Sequence, residues 1–188
     1  MRDRPLDAAV FLDRDGTLIR DVGYLRRPDQ IEILPRVPAA LRLLRDHGFK
    51  LVVVTNQSAV ARGWMSEEVL AEIHDALAGQ LAQSGAGLDA IYYCPHHPVE
   101  GKGIYRQACS CRKPNTGMIE RACMELELDP SVSYVIGDQQ TDIELAERIG
   151  ATAFRIRPAS TAVGAVDLWQ AAQWILERSK QAGQVEES

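Results

Sequence analysis

The stretch VFLDRDGTLI, residues 10–19, runs an apolar segment, Val10-Phe11-Leu12, straight into two aspartates one residue apart, Asp13 and Asp15. The apolar segment reads as the end of a buried strand over residues 8–12. Carboxylates that close repel each other, so a cation, a bound proton or plain solvent must compensate them. Which of these applies depends on what else the chain brings to the same place.

Outward from that stretch, strand-like and helix-like segments alternate. Residues 37–47 read as a helix with apolar positions at Val37, Ala40, Leu41 and Leu44, closed by Gly48. Residues 51–54 are a short apolar, β-branched strand. Ser66 is a candidate N-cap, with Glu67 and Glu68 in the first turn and Val69, Ile73, Leu77 and Leu81 as the inner stripe. Residues 90–93 read as a strand, 94–111 as an irregular loop, and 117–126 as a helix. Residues 134–136 form a strand entering Gly137-Asp138, 143–149 a helix ending at Gly150, and 152–156 a last strand. A helix over 166–178 closes the chain, and 181–188 read as a frayed tail. This alternation predicts an α/β fold in one domain spanning 1–188: a Rossmann-like parallel sheet with helices on both faces.

Ligands of such sheets bind at the C-terminal ends of the strands. That rule gathers Asp13 and Asp15, then Thr55-Asn56-Gln57-Ser58, then Asp138 and Asp142, with Lys113 on the approach to a helix. Carboxylates converging from separate loops suit Mg²⁺, an oxygen-seeking ion that would relieve the repulsion at Asp13 and Asp15. One carboxylate could attack phosphorus while the other moves protons, and Thr55 and Lys113 could hold the phosphoryl oxygens. A blander account makes Asp15-Gly16-Thr17 a turn and Asp13 a solvated loop residue; the other strand-end groups weigh against it.

The 188 residues are 46% hydrophobic and 25% charged, the composition of a soluble globule. A net charge of −5 and a pI near 5.4 weigh against nucleic acid as a partner. Residues 1–5 are charged and carry no apolar stretch, so no signal peptide is expected. No apolar run approaches the ~18 residues of a membrane span. A cytoplasmic, monomeric protein is the expectation, and there the four cysteines suit metal ligands or buried thiols better than disulfides.

FLDRDGT (11–17) resembles the first motif, DxDxT, of the haloacid dehalogenase (HAD) superfamily of phosphohydrolases. Thr55, Lys113 and GDQQTD (137–142) stand where that superfamily's later motifs belong, in order. VVVTNQSAVARG (52–63), IYYCPHHP (91–98), CSCRKPNTGM (109–118) and YVIGD (134–138) extend the likeness to the D-glycero-D-manno-heptose 1,7-bisphosphate phosphatases. The resemblance covers roughly residues 8–158 and implies an Mg²⁺-dependent phosphatase acting at C7 of a phosphorylated sugar. Asp13 is then the nucleophile that forms an aspartyl-phosphate, and Asp15 the general acid and base. Asp13, the backbone carbonyl of Asp15, and Asp138 hold Mg²⁺, while Thr55 and Lys113 stabilise the transferring phosphoryl group. Asp21, Val22, Gly23, Tyr24, Asn56, Gln57, Ser58, Gln139 and the recognition arginine Arg112 contact substrate. Asp142 orients Lys113 or a metal-bound water. The implied pathway makes nucleotide-activated heptose for lipopolysaccharide or another surface glycan.

Cys94, His96, Cys109 and Cys111 form a Cys₃His set flanking a loop, 94–111, too poor in apolar residues to build a core. Zinc takes four such ligands in a tetrahedron, and a full set with no open position reads as structural. The alternative is a free-thiol loop; His97 is a rival ligand that the family pattern disfavours. Cys123 reads as a buried helix residue, and His47 and His74 as surface histidines. The segments from Thr17 to Thr55 and from Thr55 to Lys113 leave no room for a large cap domain.

The chain departs from the family's pattern at Gln139, where the heptose enzymes usually carry lysine; Arg62, Lys102 or Arg106 could replace that cation. Thr116 stands for a proline and Ala59 for a common glycine. These departures keep a histidinol-phosphate phosphatase in play, to which GDQQTDIELAE (137–147) leans, whereas NQSAVARG and Tyr24 favour heptose. A polynucleotide 3′-phosphatase would want a basic, aromatic groove, unlike a chain with 6% aromatics. A non-catalytic binding module would not need Asp13, Asp15, Lys113 and Asp138 together.

Overall fold

The computed structural model describes residues 6–156 and 166–186, with backbone alone from 180. The charged start, residues 1–5, lies outside the described residues. Five parallel strands form one sheet in the order β3-β2-β1-β4-β5. They are β1 (Ala9–Leu12), β2 (Lys50–Asn56), β3 (Ala90–Cys94), β4 (Tyr134–Gly137) and β5 (Thr152–Arg155). The helices are α1 (Val37–Asp46), α2 (Glu67–Gln83), α3 (Gly117–Leu126), α4 (Gln140–Ile149) and α5 (Leu168–Glu186).

Both sheet faces are covered, which is why the strands are apolar on consecutive residues rather than alternately. Val10, Leu12, Leu51 and Val53 pack with α1, α2 and α5 on one face. Ala9, Phe11, Val52 and Val54 pack with α3 and α4 on the other. β1 lies at the centre, bonded to β2 on one side and β4 on the other. The strand order reverses there, so the crevice for a ligand opens beyond the ends of β1, β2 and β4. Among the described residues, the connections carry only short helical turns besides the core helices, and no domain is inserted over that crevice.

Local chemistry sets the boundaries. Ser66 caps α2 by accepting from the amide of Val69. α4 begins at Gln140, three residues before its apolar pattern starts, because the Asp142 carboxylate accepts from the amide of Gln139. α5 runs to Glu186 where the sequence suggests a frayed tail; after Val166 no proline interrupts it, and Gly183 is its one poor helix former. Among the described residues, no helix is long and apolar enough to cross a membrane.

His74 is the clearest correction. It is not a surface residue but 6% exposed, on the same face of α2 as Leu70, Ile73, Leu77 and Leu81. Its neighbours Leu70 and Leu77 stand four residues before and three after it, so helical spacing carries it inward with them. His47 is exposed, as expected of a surface residue, and Cys123 is half-buried against the α3–α4 layer.

Burial first, and then the charge of Arg14, hold the His74 pKa down at about 3. The unfolded chain protonates this histidine below about pH 6.5, and the folded chain does so only near pH 3. Stability tied to His74 is therefore present above pH 6.5 and is lost as the pH falls toward 3. Unfolding at pH 4.5 should take up about one proton less in His74→Gln than in the wild type, measured from the pH dependence of urea unfolding.

Candidate active site

β1 ends where its pairing with β4 reaches one residue further, the amide of Asp13 donating to Ile136 O at 2.9 Å. The chain then folds back in a tight turn, with the amides of Leu18 and Ile19 donating to Arg14 O. Gly16 sits in this turn at φ +77°, and a Cβ there would stand 2.5 Å from Asp138 Oδ2. Only glycine lets the two acidic loops approach so closely.

The Lys113 ammonium is 4% exposed and reaches three oxygens: Asp13 Oδ1 at 2.7 Å, Asp142 Oδ1 at 2.7 Å and Val54 O at 2.9 Å. Burial alone would lower its pKa, but the two carboxylates outweigh that and hold it above the ordinary lysine range. Its backbone is clasped by Asn56, whose Oδ1 accepts from the Lys113 amide and whose Nδ2 donates to the Lys113 carbonyl. Asp142 thus meets Lys113 directly and caps α4 with its other oxygen.

Asp13, Asp138 and Asp142 bring carboxylate oxygens within 4.8 Å of one another. Asp138 is the one of these without a cationic partner among the described residues. Its Oδ2 accepts from Gln139 Nε2 at 3.0 Å, while its Oδ1 is buried with no partner. Burial, reinforced by Asp13, pushes its pKa up to about 6. An orphaned carboxylate oxygen beside another carboxylate fits a divalent, oxygen-seeking cation. The Asp15 pKa is also raised, by burial and by Asp13, against the opposing pull of Arg14 and Gln57.

A cavity of about 220 Å³ opens over these groups. Of the residues singled out in the sequence, Asp13, Asp15, Asp21, Gly23, Tyr24, Thr55, Asn56, Gln57, Ser58, Lys113 and Gln139 line it. Asp138 lies behind Gly16 at its edge. Val22 and Arg112 do not line it. Val22 belongs to an adjoining groove of about 450 Å³ with Arg26 and Arg27, and Arg112 donates to the carbonyl of His96 at 3.1 Å. A larger cavity of about 590 Å³ lies away from the carboxylates, beside β3 and α3.

One buried residue and two exposed ones near the site escaped the sequence reading. Arg14, 1% exposed, forks onto both oxygens of Asp15 and bonds Gln57 and His74. A cation set between two aspartates in a buried stretch was the available signal for it. Trp64 and Arg26 stand beside the pocket, next to its lining residue Tyr24. The Trp64 ring meets Tyr24 edge-on at 4.4 Å, and the Arg26 guanidinium lies 4.9 Å over Trp64. Arg62 stands over both rings and pairs with Glu100.

Cys94, His96, Cys109 and Cys111 converge at the base of the 94–111 loop. Their closest donor contacts run from 3.0 Å, Cys111 to Cys94, to 3.7 Å, Cys94 to His96 Nδ1. All three cysteines are free thiols. His97 is turned away, its Nδ1 accepting from the amides of Val99 and Glu100. Four such donors around one point could hold a metal ion. The loop between them runs directly into Arg112 and Lys113.

Comparison with known proteins bears on this arrangement. A family profile described as HAD-hydrolase-like matches residues 110–177. The D-glycero-beta-D-manno-heptose-1,7-bisphosphate 7-phosphatase of Haemophilus ducreyi is 47% identical over 143 residues, 76% of this chain and 78% of its own. The protein of the same name from Yersinia pestis is 41% identical over 171 residues, 89% of each chain. Among solved structures, a D,D-heptose 1,7-bisphosphate phosphatase from B. bronchiseptica, complexed with magnesium and phosphate, superposes with a TM-score of 0.76. It is 30% identical and covers 91% of this chain and 99% of its own. With relatives this similar over most of their length, the chain belongs to the heptose-1,7-bisphosphate phosphatase family of the HAD-like hydrolases.

Proposed function

We propose that the protein removes the C7 phosphate of D-glycero-beta-D-manno-heptose 1,7-bisphosphate, in the cytoplasm and as a monomer, on the way to nucleotide-activated heptose. The observation that carries this reading is a pocket holding the buried Asp13–Lys113 pair, with an arginine–aromatic cluster gathered around its lining residue Tyr24. The names of the relatives support the beta anomer and the heptose.

Asp13 attacks the phosphorus as the bond to the C7 oxygen breaks, and Asp15 gives its proton to that oxygen. Water then attacks the phosphorus of the aspartyl-phosphate and passes a proton to Asp15, which restores Asp13 and releases inorganic phosphate. Lys113 and Thr55 meet the phosphoryl oxygens. Mg²⁺ held by Asp13, Asp138 and the backbone carbonyl of Asp15 would neutralise charge on the phosphoryl group. Zn²⁺ on Cys94, His96, Cys109 and Cys111 would order the loop that carries Lys113.

The rim favours a bisphosphate over histidinol phosphate. Among the described residues, no carboxylate pairs with Arg26, so its charge is free for a second phosphate. Histidinol phosphate carries an ammonium at that end, which Arg26 and Arg62 would repel. This cation replaces the one lost at Gln139, whose amide is turned onto Asp138.

Phosphate release with Mg²⁺ should be fastest on the beta anomer, ahead of the alpha anomer, histidinol phosphate and a 3′-phosphorylated oligonucleotide. A preference for histidinol phosphate would overturn the substrate assignment. Arg26→Ala should raise KM for the bisphosphate about 3- to 10-fold, in line with one exposed charge-assisted contact, and leave KM for 4-nitrophenyl phosphate unchanged. Asp13→Asn should lose on the order of 10³-fold or more in kcat while remaining folded by circular dichroism, Asp142 still pairing with Lys113; near wild-type turnover would refute covalent catalysis. Cys109→Ser should lose zinc in metal analysis and melt about 4 °C or more lower.

A further inference from the structure

We propose that Arg14 is the positioning residue for Asp15 and that His74 keeps Arg14 in that role. The inference rests on the reading of Asp15 as proton donor and acceptor. Arg14 donates from Nε to Asp15 Oδ2 and from Nη2 to Asp15 Oδ1, both at 3.1 Å. This two-point fork fixes the plane of the carboxylate, which one bond could not do.

The rest of the guanidinium is tied to two other elements. Nη2 also donates to Gln57 Oε1 at 2.9 Å, just beyond β2. Nη1 lies 3.2 Å from His74 Nε2 on α2. Arginine has no acceptor, so His74 Nε2 must accept, and the ring carries its proton on Nδ1. Gln57 then has a single workable orientation. Its oxygen faces Arg14, and its Nε2 donates to Asp15 Oδ2 and to Thr55 Oγ1, each at 2.9 Å. Asp15 is thereby referenced to β1, β2 and α2 together.

Stability alone is a poor reason for this design. Burying a guanidinium is costly, and apolar residues of similar volume commonly serve a core as well or better. What the network supplies is direction. The Asp15 side chain remains 24% exposed while the cation holding it is 1% exposed. The carboxylate thus faces the pocket from a rigid mount, as proton transfer to a leaving oxygen requires.

A sugar alcohol must be protonated as it leaves, whereas 4-nitrophenolate leaves without a proton. Arg14→Lys and His74→Leu should therefore lower kcat for heptose 1,7-bisphosphate on the order of 100-fold with little change in KM. In the same variants, a rapid-quench burst of one 4-nitrophenolate per site should keep its wild-type rate, followed by slow hydrolysis of the phospho-enzyme. His74→Gln, whose side-chain oxygen can accept from Arg14, should recover most of the sugar activity. Equal slowing of the two phosphorylation steps, or no slowing of either, would overturn the proposal. If Arg14→Lys does not fold, the two His74 variants decide the question; loss of folded protein in all three would make the pair a structural support and overturn it. The Asp15 reading fails separately, if Asp15→Asn slows formation of the phospho-enzyme from sugar and aryl phosphates by the same factor.

Discussion

The ammonium of Lys113, held 2.7 Å from both Asp13 and Asp142 and shut away from solvent, is the contact on which the site is built. Neither carboxylate is tolerable there without it, and its own burial is tolerable only because of them. The contact draws together the end of β1, the start of α4 and the loop that follows β3, three regions far apart in sequence. Asn56 secures the lysine from the backbone side, so β2 joins the same assembly. The Cys₃His cluster stands one residue upstream of Arg112 and two upstream of Lys113, which makes loop order and lysine placement parts of one problem.

Charge balance explains what remains. Among the described residues, Asp13, Asp15, Asp138 and Asp142 meet two buried cations, Arg14 and Lys113. The deficit falls on Asp138, which has an unpartnered oxygen and a raised pKa. A divalent cation restores neutrality without adding a side chain, and a phosphate arriving with its own negative charge then meets a balanced floor. By the proposed reading, the arginines beside Tyr24 would attract that charge, and the floor need not.

Much of this was legible in the sequence because parallel α/β chains write their sites at strand ends. The strand-end rule alone gathers Asp13, Asp15, Thr55, Asp138 and Asp142, and the resemblance assigns them roles. What escaped was anything that depends on depth. His74 carries a polar label on a helix whose inner stripe is one position wider than the Val69-Ile73-Leu77-Leu81 pattern suggests. Arg14 leaves one faint trace in the sequence, a cation between two aspartates beside a buried strand, and the inward turn of its guanidinium is visible only in the fold. Trp64 and Arg26 are separated by thirty-seven residues and come together only in the folded chain. The start of α4 was missed because it is set by a carboxylate cap and not by apolar periodicity.

The bare crevice has a consequence for the fate of the phosphoryl group. Among the described residues no domain folds over β1, β2 and β4, and Asp15 is partly open to solvent, so water would reach an acyl phosphate on Asp13 through the open pocket. A second acceptor would have to compete with that water, so an uncovered crevice would favour hydrolysis over transfer. By this reading, turnover would need no domain to swing aside to admit water or release phosphate. Selectivity must then come from how the rim grips the far end of the substrate, since enclosure is not available to enforce it.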